Sequence, residues 1–337
     1  MDILIKSFNR PYYLDRCLQS IIDFVVDSEM KIIVLDDGTP KKYLEKLQEK
    51  YPFIIILKSS FYHDKSNLIS SNSSDFIKKI PIDLWISSAK SATDYFVLLE
   101  DDIWFNKPIN LNELAINLRI NKLSMLKLYW LGNNKLIPTK ILKKVSNFTI
   151  YKENLVTNNQ FIYRLIFHVQ RLNINKIMFF FKINTEQKKL NYYHVYATAG
   201  VIFNKDYFLK LWDNHENKID EHLQIRNALN FLKNNKNSLF GFLEQEIVKT
   251  GFASAATNMF KEYENINIDM FVFNKIINES WFNDEFITTT EFNQDLNATE
   301  IENILKKNNN QGALMLEWEN WTSAFKKQYI DFGCKID

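Results

Sequence analysis

The chain has 337 residues, 46% of them hydrophobic, so it can bury a sizeable core in one large domain or two modest ones. Its 7 Gly and 6 Pro argue against a disordered or collagen-like chain, and a net charge of +2 supplies no global field that would favour nucleic acid as a partner. Two cysteines, Cys17 and Cys334, are too few for a disulfide framework and fit a reducing cytoplasm; no apolar run reaches the roughly 18 residues of a membrane span, and the start Met-Asp-Ile-Leu-Ile-Lys does not read as a signal peptide.

Ile3-Leu4-Ile5 is a short apolar run that reads as a strand. The polar turn Lys6-Ser7-Phe8-Asn9-Arg10-Pro11 follows, with Pro11 at a first helical position. Leu14, Cys17, Leu18, Ile21 and Ile22 then recur at helical spacing on one face. Residues 31–35 read as a second strand, 41–50 as a helix and 53–57 as a third strand. Strands alternating with helices, each strand continuously apolar, predict a parallel sheet covered on both faces. Residues 59–80 are polar and read as loop; 82–91 is a helix leading into a strand at 95–99. A strand is expected at 124–131, an insertion over 132–192 with a helical piece near 159–172, a strand or strand-loop at 195–203, and a helix at 219–232. The tail, 261–337, reads as a mostly helical extension.

The most informative stretch is Tyr95-Phe96-Val97-Leu98-Leu99-Glu100-Asp101-Asp102, where a buried strand ends in three consecutive carboxylates. Adjacent negative charges repel unless a cation neutralises them, and carboxylate oxygens suit magnesium or manganese, which in turn grip phosphates. Ligands of parallel sheets bind beyond the carboxyl ends of the strands. Three polar clusters fall at such ends: Ser7, Asn9 and Arg10; Asp36 and Asp37; and the acidic triplet. A lone Asp-Asp after a strand is more often a turn, but three clusters on one edge point to a site.

These residues also resemble a known family. Ile5-Lys6-Ser7-Phe8-Asn9-Arg10-Pro11, then Leu14 and Cys17-Leu18, is similar to the opening of nucleotide-sugar-dependent glycosyltransferases of the GT-A fold, especially the large inverting family 2. Val34-Leu35-Asp36-Asp37-Gly38-Thr39 resembles their Asp-Asp-Gly-Ser motif, and Glu100-Asp101-Asp102 their metal-binding D-x-D. The likeness covers residues 1–105 well and 195–258 loosely. It implies a Rossmann-like α/β domain over 1–260, with a nucleotide half at 1–105 and an acceptor half at 106–260, followed by the helical extension. It further implies transfer of a sugar from a nucleoside-diphosphate donor, a UDP-sugar favoured, to a glycan or lipid-linked acceptor, with inversion, in bacterial surface polysaccharide synthesis.

Carried onto this sequence, the resemblance puts the 7–10 turn on the nucleotide and Asp36 and Asp37 on base and ribose. Asp102 would hold Mn2+ or Mg2+ on the diphosphate, with Glu100 and Asp101 nearer the sugar and ribose. Lys90, on the helix before the acidic strand, reads as a phosphate contact or a solvated lysine. An inverting transfer needs a general base. Asp220 and Glu221, at the start of a helix, are candidates, although Asp220 reads equally as an N-cap. Glu244 and Glu246 compete with them. The family's usual Glu-Asp followed by Arg on one helix is absent, which leaves the base open among these four.

Tyr196-Ala197-Thr198-Ala199-Gly200 resembles the small-residue segment beneath the acceptor site, with Gly200 allowing close backbone approach. His194 reads as a hydrogen-bonded histidine or an added metal or phosphate contact, and the five histidines lack zinc spacing. Residues 161–182 interleave aromatics with Arg164, Arg171, Lys176 and Lys182 and include Phe179-Phe180-Phe181, which reads as packing of the insertion or as a membrane-surface element. Trp318, Trp321 and Phe325 lie at helical spacing and read as core or homodimer contact.

Two other enzyme classes are weighed. Asp36-Asp37-Gly38-Thr39 is similar to the haloacid-dehalogenase signature, but the nucleophile would fall on Leu35, which cannot attack phosphorus. A nucleotidyltransferase needs a Gly-rich basic loop, and 7–11 has no glycine. A silent nucleotide- or glycan-binding module is separated from an enzyme by its response to UDP or GDP with manganese.

Overall fold

The computed structural model describes residues 1–26, 29–71, 78–168, 185–258 and 265–336. Its centre is a sheet of nine strands: β1 (Asp2–Ser7), β2 (Ile32–Asp36), β3 (Ile55–Lys58), β4 (Tyr95–Glu100), β6 (Leu123–Lys127), β7 (Ile141–Val145), β8 (Phe148–Tyr151), β9 (Val201–Asn204) and β10 (Leu239–Leu243). A short strand β5 (Ile103–Phe105) pairs antiparallel with β11 (Val248–Thr250) beside it. The order across the sheet is β3-β2-β1-β4-β9-β6-β10-β8-β7. β9 and β8 run against their neighbours, so the other strands share one direction and the sheet is mostly parallel. The carboxyl ends of β1, β2, β4 and β6 therefore emerge along one edge.

Helices cover both faces, which is why β1, β2 and β4 are buried almost throughout. Side chains alternate across the sheet. Ile3, Ile5, Val97 and Leu99 pack with α1 (Pro11–Phe24) and the C-terminal helices, while Leu4, Phe96, Leu98 and Met125 pack with helices on the other face. Those are α4 (Ile82–Ser91), α6 (Lys205–Leu211) and α7 (Glu221–Asn234). The connections α2 (Lys41–Lys50), α3 (Tyr62–Ser70) and α5 (Leu111–Asn121) complete the layer order.

The structure departs from the sequence reading in four places. Residues 59–80 are not all loop, because α3 lies there. Its buried side of Tyr62, Lys65 and Ser66 is polar, so it carries no apolar stripe to read. The insertion contains the hairpin β7–β8, which extends the central sheet. β7 is an edge strand with exposed Lys143 and Lys144, a composition that blunts edges and hides strand character. The strand expected at 124–131 stops at Lys127, and that expected at 195–203 begins only at Val201. Near 159–172, a short helix at Gln160–Tyr163 runs into a π-helical turn at Arg164–His168. Arg171, Lys176, Lys182 and Phe179-Phe180-Phe181 lie outside the described residues.

The tail forms α8 (Met270–Phe282), α9 (Ala298–Asn308) and α10 (Met315–Asp331). Trp281, Trp318, Trp321 and Phe325 join the same apolar core as α1. Polar contacts fix the docking: Tyr12 donates to Asn274 Oδ1 at 2.7 Å, and Trp281 Nε1 to Asp15 Oδ2 at 2.9 Å. Among the described residues, no helix is long and apolar enough to cross a membrane.

Candidate functional site

The turn after β1 takes its shape from Asn9, which sits at φ 54, a left-handed conformation that Asn tolerates better than most residues. Its backbone N–H donates to Thr39 Oγ1 at 2.9 Å, and its carbonyl accepts from Asn278 at 3.2 Å. Asn9 is fully buried and does not line the cleft described below. Ser7 and Arg10 do line that cleft.

Arg10 points back to the end of β4. Its Nη1 donates to Asp102 Oδ2 at 2.8 Å and its Nη2 to Asp101. Lys6, opposite Glu100 in the β1–β4 register, donates to Glu100 Oε1 at 2.6 Å and sits 4.6 Å from the Trp85 ring centroid. The triplet is thus neutralised from within by two cations, of which the sequence reading made only Arg10 a site candidate. A lysine interrupting a buried apolar strand was the signal for the other. Burial raises the pKa of Asp101 and of Asp102 against the pull of Arg10; for Glu100, Lys6 and Arg10 outweigh burial and hold it below the usual range.

Asp36 and Asp37 divide their labour. Asp36 is fully buried and accepts from the N–H groups of Gly38 and Thr39 and from the Thr39 hydroxyl, at 3.0, 2.8 and 2.6 Å. It builds the turn and does not line the cleft. Asp37 does line the cleft, held by Ser59 Oγ at 2.6 Å and by an ion pair with Lys65 of α3. Lys65 went unread for the same reason as its helix.

The cleft itself has a volume of about 420 Å3. Its floor is the edge of β1, β2 and β4; Trp85 of α4 flanks it, and the exposed Lys78 and Lys79 stand at its rim. The opposite wall is segment 250–257, tied to the acidic end by Gly251 N–H donating to Asp102 O at 2.8 Å. Phe325 and Tyr329 of α10 close that side against Phe252. Lys90 lies exposed at the end of α4, outside the cleft lining.

A second cavity of about 170 Å3 adjoins the cleft and shares Tyr129, Leu131 and Thr198 with it. Glu221 lines it and accepts from the Tyr193 hydroxyl at 2.9 Å. Asp220 caps α7, accepting from Leu223 N–H at 2.9 Å, and lines neither cavity. Glu246 accepts from the N–H groups of Trp130 and Gly132 at 2.5 and 3.0 Å, and so shapes the loop behind the cavity. Glu244 pairs with Lys144 at 2.9 Å on the surface. Of the four candidate bases, Glu221 alone lines one of these two cavities. His194 is buried beside Tyr151, outside the lining of both.

Among the described residues, no three His, Cys, Asp or Glu side chains converge to hold a metal by themselves. Asp102 Oδ1, however, is buried and has no hydrogen-bond partner. A single carboxylate oxygen fits a magnesium-type ion, which keeps waters and completes its shell with substrate phosphates.

Fold and cleft together define an α/β protein with a charged cleft on the carboxyl edge of a mostly parallel sheet. No protein-family model and no curated protein matches the sequence. Similar solved structures include residues 1–349 of S. aureus TarS in complex with UDP-GlcNAc, at 14% identity and TM-score 0.42 over 91% of this chain and 70% of that one. The longer S. aureus TarS structure is 12% identical with TM-score 0.41, and the match covers 91% of this chain but only 42% of that one. A galactosyltransferase, LgtC, in complex with donor and acceptor sugar analogues is 16% identical with TM-score 0.33, over 68% of this chain and 70% of that one.

Proposed function

We propose that this chain is a glycosyltransferase that moves a sugar from a nucleoside-diphosphate donor, a UDP-sugar, to a hydroxyl of a glycan or lipid-linked acceptor. The observation that carries this reading is the convergence of the Ser7–Arg10 turn, Asp37 and the Glu100-Asp101-Asp102 end around one cleft at the carboxyl edge. Asp37, at the end of β2, would accept from the nucleoside. Lys78 and Lys79 at the rim would meet the diphosphate. Asp102 would hold Mn2+ or Mg2+ through its free oxygen, and that ion would supply charge neutralisation for the departing diphosphate.

Glu221 takes the role of base: its carboxylate, oriented by Tyr193, stands in the adjoining cavity, where an acceptor hydroxyl would lie. Inversion, the bacterial surface-polysaccharide setting, a cytoplasmic location with membrane-surface contact and a homodimer all rest on the motif resemblance or on the aromatic-rich stretches.

The test is thermal stabilisation by UDP and GDP with manganese, followed by hydrolysis and transfer with a panel of nucleotide sugars. Stabilisation by UDP and turnover that falls at least about a hundredfold in Asp102→Ala and Glu221→Gln support the reading. No response to any nucleotide would sink it, and intact metal-dependent turnover in Asp102→Ala would remove the metal role.

A further inference from the structure

The smaller cavity contains a charge that the donor does not need. Lys127 ends β6, on the sheet face that also carries Lys6 and Glu100, and it is only 7% exposed. The other buried cations among the described residues all have partners: Lys6 on Glu100, Arg10 on Asp101 and Asp102, Arg16 on backbone carbonyls, and Lys65 on Asp37. Lys127 has none among the described residues. A buried ammonium without a partner is costly, and a fold keeps such a group where a ligand completes it. Burial alone holds its pKa down to about 8, so it remains mostly charged at neutral pH.

The surroundings suit a sugar. Trp130, Tyr193 and Tyr196 supply rings, Thr198 joins the cavity to the donor cleft, and Glu221 lines the same cavity without pairing to Lys127. We propose that this cavity receives the acceptor and that Lys127 binds an anionic group on it, so that the substrate is a phosphate- or carboxylate-bearing saccharide and not a neutral one. The inference rests on the donor reading for the identity of the main cleft. With the anion on Lys127, a hydroxyl of the same molecule is left for Glu221.

The test fills the donor cleft first. Wild type saturated with UDP and magnesium is titrated with glucose 6-phosphate and with glucuronate, each against glucose. At least one anion is expected to bind about tenfold or more tightly than glucose. The tighter of the two identifies phosphate or carboxylate as the group recognised. Lys127→Met should weaken that binding about tenfold or more while leaving UDP affinity unchanged, and Lys127→Arg should retain it. Anion binding that persists in Lys127→Met, or UDP-loaded wild type that binds neither anion better than glucose, overturns the proposal. If UDP itself fails to bind, the donor reading falls, and the same comparison of wild type with Lys127→Met without UDP still decides whether Lys127 is an anion site.

Discussion

Arg10 Nη1 lies 2.8 Å from Asp102 Oδ2, and the same guanidinium is also held by Asp101. One planar fork thus ties the turn after β1 to the acidic end of β4 and neutralises two adjacent carboxylates. Arg10→Met would leave both carboxylates uncompensated in a buried site, at a cost of about 3–5 kcal/mol. Arg10→Lys restores the charge but not the fork, so it should recover only part of that loss. Denaturant unfolding measures both variants. Wild-type stability in Arg10→Met would mean that the triplet is neutralised by something other than Arg10.

The acidic end, the turn and the Asp-Asp motif were legible because each follows an apolar run, and strand ends on one sheet edge converge by topology. Within those motifs the sequence could not separate cleft-facing from turn-building residues. Asp36 and Asp37 are neighbours of one type, yet one bonds its own turn and the other faces the cleft. Asn9 and Asp220 likewise carry site-like chemistry spent on backbone geometry. Lys6, Lys65 and Lys127 were missed because a lysine is read as solvated by default, and only the packing reveals that each is buried.

Gly200 has φ +67, and a Cβ built on it would lie 2.1 Å from Cε1 of Tyr129, which lines both cavities. Gly200→Ala therefore meets two separate penalties, roughly 1 kcal/mol for the left-handed backbone and about 1–3 kcal/mol for the clash. Gly200→Ala combined with Tyr129→Leu should recover the clash but not the backbone cost. A double-mutant cycle of unfolding free energies reads the difference. Strictly additive losses would show that the ring does not limit the glycine.

Arg16 is 2% exposed and donates to the carbonyls of Thr288, Thr290, Glu291 and Gln294, at 2.6, 2.8, 3.2 and 2.6 Å. It also stacks 4.3 Å from the centroid of a Trp104 ring. A single side chain on α1 thus organises the segment between α8 and α9. Arg16→Met keeps the apolar stem but leaves those carbonyls without their donor, for a loss of about 2–4 kcal/mol. Amide exchange over 285–297 should accelerate before the β1–β4 core is affected. Equal acceleration in both regions would mean that the segment does not open independently.

His194 is 3% exposed, and burial, reinforced by the charge of Lys127, pushes its pKa down to about 3 from the usual 6.5. Because the folded value lies below the unfolded one, the unfolded chain takes up a proton below pH 6.5 that the native imidazole refuses. Its stabilising contribution is complete above pH 6.5 and is lost as the pH falls toward 3. Between pH 6.5 and 5 that loss comes to roughly 2 kcal/mol. His194→Phe fills the same space beside Tyr151 with a ring that does not titrate, so its stability should fall less steeply over this interval. The carboxylates contribute equally to both proteins and cancel in the difference. Parallel acid limbs in wild type and His194→Phe would show that the imidazole accepts its proton in the folded state.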